Sequence, residues 1–491
     1  MRQDFSTIPN MLKIDLVPYQ VIRLFFLICF MLALVLFSCN SPASSGESKK
    51  QVDLAIEGAY VLTMDGERKV YPSGTVLITD DQIVAVGPDS LLAGSYHPNE
   101  RIAGEGMLLM PGMVNTHTHI AMTLFRGLAD DMPLQEWLED FVWPAEAQFM
   151  DSTNVRLGTR LALAEMIRAG VTTFCDMYFF ADGIAEETKQ AGMRALIGEG
   201  LLIFPTPSSP TPEVAFQRTR DFIESYREDP LIQPMVAPHS PYACSDSMLR
   251  AARALADEYE VPMTIHLAET QREDEDIRNA TGNSPTAYLA ELGVLAPGLI
   301  AAHSVVLSEA DIALYQDHGV GVAHCPESNL KLASGIAPIP ALRAAGVPVG
   351  LGTDGPTSNN NLILMEDLSL AGKIHKVASM DPSVLPAEEL LAMATIEGAR
   401  VLGLDDEVGS LEVGKQADLI AIDLDQPHLT PLFSPYSQIV YAAQGSDVTH
   451  VWVAGQCLMR NRQLLTLDET AILRQANELG KEIHEALLAG E

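Results

Sequence analysis

Two histidines set two positions apart, in Met113-Val-Asn-Thr-His117-Thr-His119, define the chemistry open to this chain. They close the apolar run Met107–Met113, which reads as a buried strand, and on a strand residues i and i+2 point to the same face. Three further polar residues end apolar runs of their own: His266 closes Val261–His266, His303 closes Leu299–His303, and Asp354 closes Val347–Asp354. Catalytic zinc is typically held by His and carboxylate ligands with a position left for water. His117, His119, His266 and Asp354 form such a ligand set for one divalent metal ion, zinc foremost. An ion held there lowers the pKa of its water toward about 7, so a nucleophile exists at neutral pH. Asp354 is then placed to take the water's proton, and His303, from the neighbouring strand, to orient the attack. Glu269, in His266-Leu-Ala-Glu269, reaches the substrate rather than the ion and suits proton delivery to a ring nitrogen and a leaving amine. A water-activating zinc paired with a non-ligand glutamate is the pattern of zinc deaminases. A lone histidine is more often packed core than ligand, and His318, His324, His375, His428 and His450, which lack this setting, read as structural.

These residues need a scaffold that brings distant strand ends together. Between about 106 and 400, short apolar strands alternate with helical stretches such as Val155–Ala169 and Ser247–Tyr259. The strand candidates are Met107–Met113, Val171–Met177, Arg194–Gly200, Ile232–Pro238, Val261–His266, Leu299–His303, Gly319–His324 and Val347–Thr353. Eight such units predict an α/β fold, a (β/α)8 TIM-like barrel, whose active sites lie at the C-terminal strand ends. Every candidate ligand falls at such an end. An open doubly wound sheet is the alternative, and it rarely gathers side chains from a first, fifth, sixth and eighth strand at one point. Residues 52–105 alternate in the manner of strands, and the C-terminal part returns to that style in Ala417–Asp423 and Val448–Gly455. The two ends, 52–105 and 401–491, are therefore expected to form one small β-sandwich, the second part finishing in a C-terminal helix.

The net charge of −34, from 31 basic and 65 acidic residues, argues against a nucleic-acid partner and leaves a small-molecule substrate and a homo-oligomer open. With 47% apolar residues the chain can fill a large core. Arg23 precedes fourteen apolar residues, Leu24–Phe37, which is short of the roughly 20 a spanning helix needs and matches a signal-peptide core. Leu36-Phe37-Ser38-Cys39 resembles a bacterial lipobox. Residues 1–38 are thus expected to be a lipoprotein-type signal peptide, Cys39 the lipidated residue, and 39–51 a flexible tether to the cell envelope. The alternative is an uncleaved N-terminal anchor. Cys175, Cys244, Cys325 and Cys457 show no paired spacing and read as buried free thiols.

Over about residues 52–470 the chain resembles the amidohydrolase superfamily, and within it the 5-methylthioadenosine/S-adenosylhomocysteine deaminases. The matching stretches are Pro111–His119, Thr123–Asp130, Glu136-Trp137, Pro238–Tyr242, His266–Glu269, Ser328–Leu332 and Gly352–Asn360. The resemblance implies a mononuclear metal site at His117, His119, His266 and Asp354, a proton shuttle at Glu269 and a water-positioning histidine at His303. It also implies that Glu146 grips the ribose hydroxyls, which suits a carboxylate facing a cis-diol. By the same likeness His239 contacts the purine and Trp137 walls the nucleoside. Binuclear members place a carboxylated lysine on the fourth strand, and Ile232–Tyr242 has none. Members that accept S-adenosylhomocysteine tend to carry an arginine after the third strand. Glu199 stands there, so a preference for uncharged 5′-substituents is expected. The implied reaction is hydrolytic deamination of an adenine nucleoside. Action on another N-heterocycle, such as an s-triazine or a pterin, is the alternative, followed by a non-catalytic nucleoside-binding lipoprotein.

Overall fold

The computed structural model describes residues 50–92 and 94–490. The expected signal peptide, Cys39 and all but the end of the tether lie outside the described residues. No helix among those described is long and apolar enough to cross a membrane.

The strands in chain order are β1 (Lys50–Leu62), β2 (Val70–Thr79), β3 (Gln82–Pro88), β4 (Tyr96–Ala103), β5 (Met107–Pro111), β6 (Met113–Thr118), β7 (Val171–Tyr178), β8 (Arg194–Leu201), β9 (Ile232–Pro234), β10 (Ala237–Pro238), β11 (Met263–Leu267), β12 (Leu299–His303), β13 (Gly321–His324), β14 (Val349–Leu351), β15 (Leu419–Asp423), β16 (Val448–Val453), β17 (Gln456–Arg460) and β18 (Gln463–Leu464). They form two sheets. One runs β10-β8-β7-β6-β14-β13-β12-β11 with β9 beside β8, all parallel. The gap between β10 and β11 is closed by backbone bonds Val236 N–Pro262 O, Thr264 N–Val236 O and His266 N–His239 O. Counting β9 and β10 as one strand interrupted between two prolines, this is the eight-stranded parallel barrel. Its interior is filled by side chains from six of its strands, Val114, Cys175, Leu196, Ala237, Ile300 and Ala323 among them, and these pack with Ala399, Val401 and Leu404.

The other sheet draws on both chain ends, in the order β18-β17-β16-β15-β5-β1-β2-β3 with β4 beside β1. Here the structure differs from the strand expected at Met107–Met113. That run is cut at Gly112: β5 lies between β15 and β1 in the end sheet, and the barrel's first strand is β6. The run misleads because β5 is covered on both sides, which removes the polar alternation of a half-buried strand. Leu108 and Met110 join the core cluster that includes the barrel's helices, while Leu109 joins the cluster of the end sheet. Ile420 and Ile422 of β15 divide from Leu419 and Ala421 in the same way.

The helices that back the barrel are cut to length by local signals. Ser152–Ala169 begins at Asp151, whose side chain accepts from Thr153 N and Asn154 N, and ends at Gly170 with φ 84°. Cys175, Cys244 and Cys325 are buried free thiols as expected, whereas Cys457 is half-buried.

Candidate active site

The site lies at the C-terminal ends of barrel strands. His117 is in β6 and His119 follows that strand; His266 is in β11, His303 ends β12, and Asp354 sits just past β14. One ligand atom from each of His117, His266, His303 and Asp354 can be chosen so that all lie within 4.8 Å of one another. His119 joins them: its Nε2 is 3.1 Å from His266 Nε2 and 3.3 Å from Asp354 Oδ1. His117 Nε2 is 3.5 Å from the same oxygen. All five side chains predicted to surround the ion therefore face one small volume. The geometry draws His303 into the same cluster as the four expected ligands.

Hydrogen bonds behind the rings fix which nitrogen faces inward. The Nδ1 atoms of His119, His266 and His303 sit 2.7, 2.7 and 2.8 Å from Met177 O, His239 O and Asn329 Oδ1. An Nδ1–H donating to these acceptors leaves each Nε2 lone pair aimed at the cluster, the form a metal ion binds. His117 is fully buried and neither of its ring nitrogens has a hydrogen-bond partner among the described residues, a costly arrangement unless a cation takes the lone pair. Burial holds its pKa down to about 4, so it is a neutral ligand at pH 7. Burial alone would also depress His119, but Asp354 beside it outweighs that and raises it to about 9. Burial works to raise Asp354, yet the contacts from His117 and His119 hold it well below the carboxylate range. Asp354 is thus ionised and paired with His119, whose proton a metal ion entering the cluster would displace. Asp354 has its other oxygen occupied by Ser328 Oγ at 2.6 Å and Ser358 Oγ at 2.7 Å, which leaves Oδ1 facing the histidines.

Glu269 stands two residues past β11 and is 2% exposed. Its Oε2 is 3.7 Å from His303 Nε2, and burial pushes its pKa up. The same cavity is lined by Trp137, Glu146 and His239, the three residues expected to meet substrate, together with Trp143, Phe179 and Tyr242. Glu146 is buried and accepts from Tyr178 Oη at 2.7 Å; burial raises its pKa to about 7. His239 is held neutral, its pKa lowered by burial to about 3. Trp137 donates its Nε1–H to Ala129 O at 3.1 Å, which leaves the ring as the wall.

One expectation fails. Glu199 is not among the residues lining this cavity; its carboxylate accepts from Ala181 N and Ser208 Oγ and lies 3.4 Å from Arg218 Nε. Strand alternation gives the reason: the neighbouring Gly200 lines the cavity, so Glu199 points to the outer side. Sequence reasoning gave no role to Ser328, Asn329, Ser358 or Trp143, which hold the ligands or shape the wall. Ser328 and Asn329 were signalled by the stretch Ser328–Leu332, which carried a resemblance without a role.

Residues 108–458 match the amidohydrolase family, and the chain belongs to that family. It is similar to the 5-methylthioadenosine/S-adenosylhomocysteine deaminase of Syntrophobacter fumaroxidans, with 46% identity over 433 residues, 88% of this chain and 99% of that protein. The deaminase of the same description from Aquifex aeolicus is 39% identical over 88% of this chain and 98% of its own length. Among solved structures, an adenosine deaminase from Xanthomonas campestris with bound zinc superposes with a TM-score of 0.87 and 40% identity, covering 89% of this chain and 99% of that one. A zinc-complexed atrazine chlorohydrolase from Arthrobacter aurescens gives 0.81 and 27%, over 87% and 100%. Zinc in both neighbours agrees with the donor set here, which suits one such ion.

Proposed function

We propose that this protein is a metal-dependent aminohydrolase that converts adenine nucleosides to inosine-type products and ammonia. The observation that carries the reading is the placement of Glu269 beside His303 on the edge of the histidine–aspartate cluster, with Glu146 lining the same cavity. A divalent ion held by His117, His119, His266 and Asp354 supplies the Lewis acidity that makes water nucleophilic at neutral pH. Asp354 accepts the proton released by that water as its oxygen adds to C6 of the purine. Glu269 delivers a proton to N1, the proton taken up by Asp354 passes to the exocyclic nitrogen, which leaves as ammonia, and the hydroxyl proton on the C6 oxygen returns to Glu269 as the carbonyl forms. His303, fixed by Asn329, hydrogen-bonds the attacking oxygen. Glu146 accepts from the ribose hydroxyls, and Trp137 and His239 flank the nucleoside.

A second cavity, beside Glu146, suits the 5′ end of the nucleoside. It is walled by Trp143, Phe179, Phe204 and Pro205; Glu139 and Glu146 are the ionisable side chains on it, and no lysine or arginine lines it. An apolar, cation-free wall favours adenosine, 5′-deoxyadenosine or 5-methylthioadenosine over S-adenosylhomocysteine, whose carboxylate meets no partner there. These residues, and not Glu199, set the preference. Following absorbance at the adenine band with these four substrates tests both levels. No change with any of them, with one zinc bound, overturns the activity; preferred turnover of S-adenosylhomocysteine overturns the substituent reading alone. The chlorohydrolase neighbour keeps an s-triazine substrate as the rival, and Glu146→Ala separates the two, since only a ribose-bearing substrate depends on that carboxylate.

Export and lipidation at Cys39 form a separate proposal, supported by the apolar run Leu24–Phe37 and the lipobox-like Leu36–Cys39. Membrane fractionation and mass spectrometry of the N-terminus test it. An unmodified Cys39 in a fraction free of membranes overturns it.

A further inference from the structure

Glu273 is a buried acid that the proposed chemistry does not use. It is 2% exposed and pairs with no lysine or arginine among the described residues. Its two oxygens are spent on two consecutive backbone amides: Oε1 accepts from Ala268 N at 3.0 Å and Oε2 from Glu269 N at 2.7 Å. An uncompensated buried carboxylate is expensive, so the role it serves must lie at those two amides. Thr270 caps the helix Gln271–Thr281, its side chain accepting from Glu273 N at 3.1 Å, and the pair has the spacing of a capping box; Glu273, however, reaches past the amide of Thr270 to those of Ala268 and Glu269.

The turn that Glu273 grips has a backbone that needs holding. Ala268 has φ 54°, in the left-handed region where a residue with a Cβ is disfavoured. Its carbonyl accepts from both Val305 N and Val306 N at 2.8 Å, which ties the turn to the segment following His303. With Glu273 on the amide side and 305–306 on the carbonyl side, the peptide before Glu269 is clamped from two directions. The direction in which the Glu269 side chain leaves the backbone follows from that clamp.

We propose that Glu273 is a positioning residue, whose carboxylate bridge across the amides of Ala268 and Glu269 holds the Glu269 carboxylate beside His303. The inference rests on the role given to Glu269 above. Charge-assisted bonds from a carboxylate to two adjacent amides are short and directional, and an amide in its place offers one oxygen and turns an N–H against the other donor.

The test uses Glu273→Gln and Glu273→Asp in the full zinc-loaded protein, with whichever nucleoside the wild type turns over best. Both variants are expected to lose at least tenfold in kcat while KM stays within about twofold and bound zinc remains one per chain. In a Glu269→Gln background, adding Glu273→Gln is expected to cost less than twofold, because the group being positioned is already gone. Hydrogen–deuterium exchange of the peptide covering 266–273 supplies a readout that needs no substrate, and faster exchange at Ala268 and Glu269 is expected in both variants. Unchanged kcat, unchanged exchange, loss of zinc, or an equal loss in the two backgrounds overturns the proposal. A wild type inactive on every nucleoside, with exchange still altered in the variants, overturns the activity and leaves the clamp in place.

Discussion

Asn329 Oδ1 lies 2.8 Å from Nδ1 of His303, both groups buried, and this contact decides which ring nitrogen of His303 faces the ligand cluster. The asparagine comes from the short helix Pro326–Lys331 that follows β13, and the neighbouring Ser328 of the same helix holds Asp354. One helical turn thus orients two members of the histidine–aspartate cluster.

Removing that acceptor leaves Nδ1 of a buried histidine unpaired and its tautomer free. Outer-shell partners of this kind typically account for a 10–100-fold effect on activity or metal affinity. Asn329→Ala is expected to lower kcat by about that factor with the fold intact, as measured by steady-state rates beside far-UV circular dichroism. Wild-type kcat in the variant removes the orienting role.

Glu146, on the wall of the cavity, carries a stability term that depends on pH. Its folded pKa, about 7, stands above its ordinary 4.5 because of burial, so the folded state binds the proton more tightly than the unfolded chain. The stabilisation from keeping that proton is complete below about 4.5 and is lost as pH rises through about 7. Glu146→Gln keeps an acceptor for Tyr178 and never ionises. Its stability is expected to exceed the wild type's by a margin that widens from pH 5 to pH 8, up to roughly 3 kcal/mol at 1.36 kcal/mol per unit, with Tm rising accordingly. Turnover of nucleosides is expected to fall in the same variant. Thermal melts across that pH range, run at fixed zinc, check the sign; a margin that narrows with rising pH contradicts it.

Metal removal leaves Asp354 and the converging imidazoles without their common partner. A ligand present at 1,000 times its dissociation constant stabilises by about 4 kcal/mol, so chelation is expected to lower Tm by several degrees and added zinc to restore it. A melt indifferent to chelator, with zinc shown to be gone, speaks against a metal held by these residues.

At Gly112 the chain passes from the end sheet to the barrel. A Cβ there would lie 2.1 Å from Thr172 Oγ1 and 2.2 Å from its Cγ2, closer than van der Waals contact allows. Gly112→Ala is expected to destabilise by about 1–3 kcal/mol or more, visible as a lower midpoint in urea, and Thr172→Ala is expected to recover part of the loss. A neutral Gly112→Ala means the two sheets are not locked together at this point.

The histidine–aspartate cluster is legible in the sequence because each member ends an apolar run, and a barrel places strand ends together. His117, His119, His266, His303 and Asp354 needed no more than that. The strand at Met107–Pro111 was assigned to the wrong sheet because two cores cover it, so its composition copies that of a barrel strand. Glu199 was misjudged because a side chain's direction is set by the register of one residue, which the pattern of Arg194–Leu201, buried throughout, does not reveal. Glu273 sits in Gln-Arg-Glu-Asp-Glu-Asp, where the charge run reads as a solvated helix face; only the fold shows that Glu273 and its neighbour Asp274 are buried. Ser358 and Trp143 lie in segments without an apolar rhythm to mark them.

The pairing of β5 with β15 joins Pro111 to Leu419. The peptide that leads into His117 is therefore flanked by a strand synthesised late, and this flank is complete only when Leu419 has arrived. The strand before the histidine pair thus leans on a part of the chain made after every residue of the cluster, so truncation of the last hundred residues is expected to loosen a pocket to which they contribute no ligand.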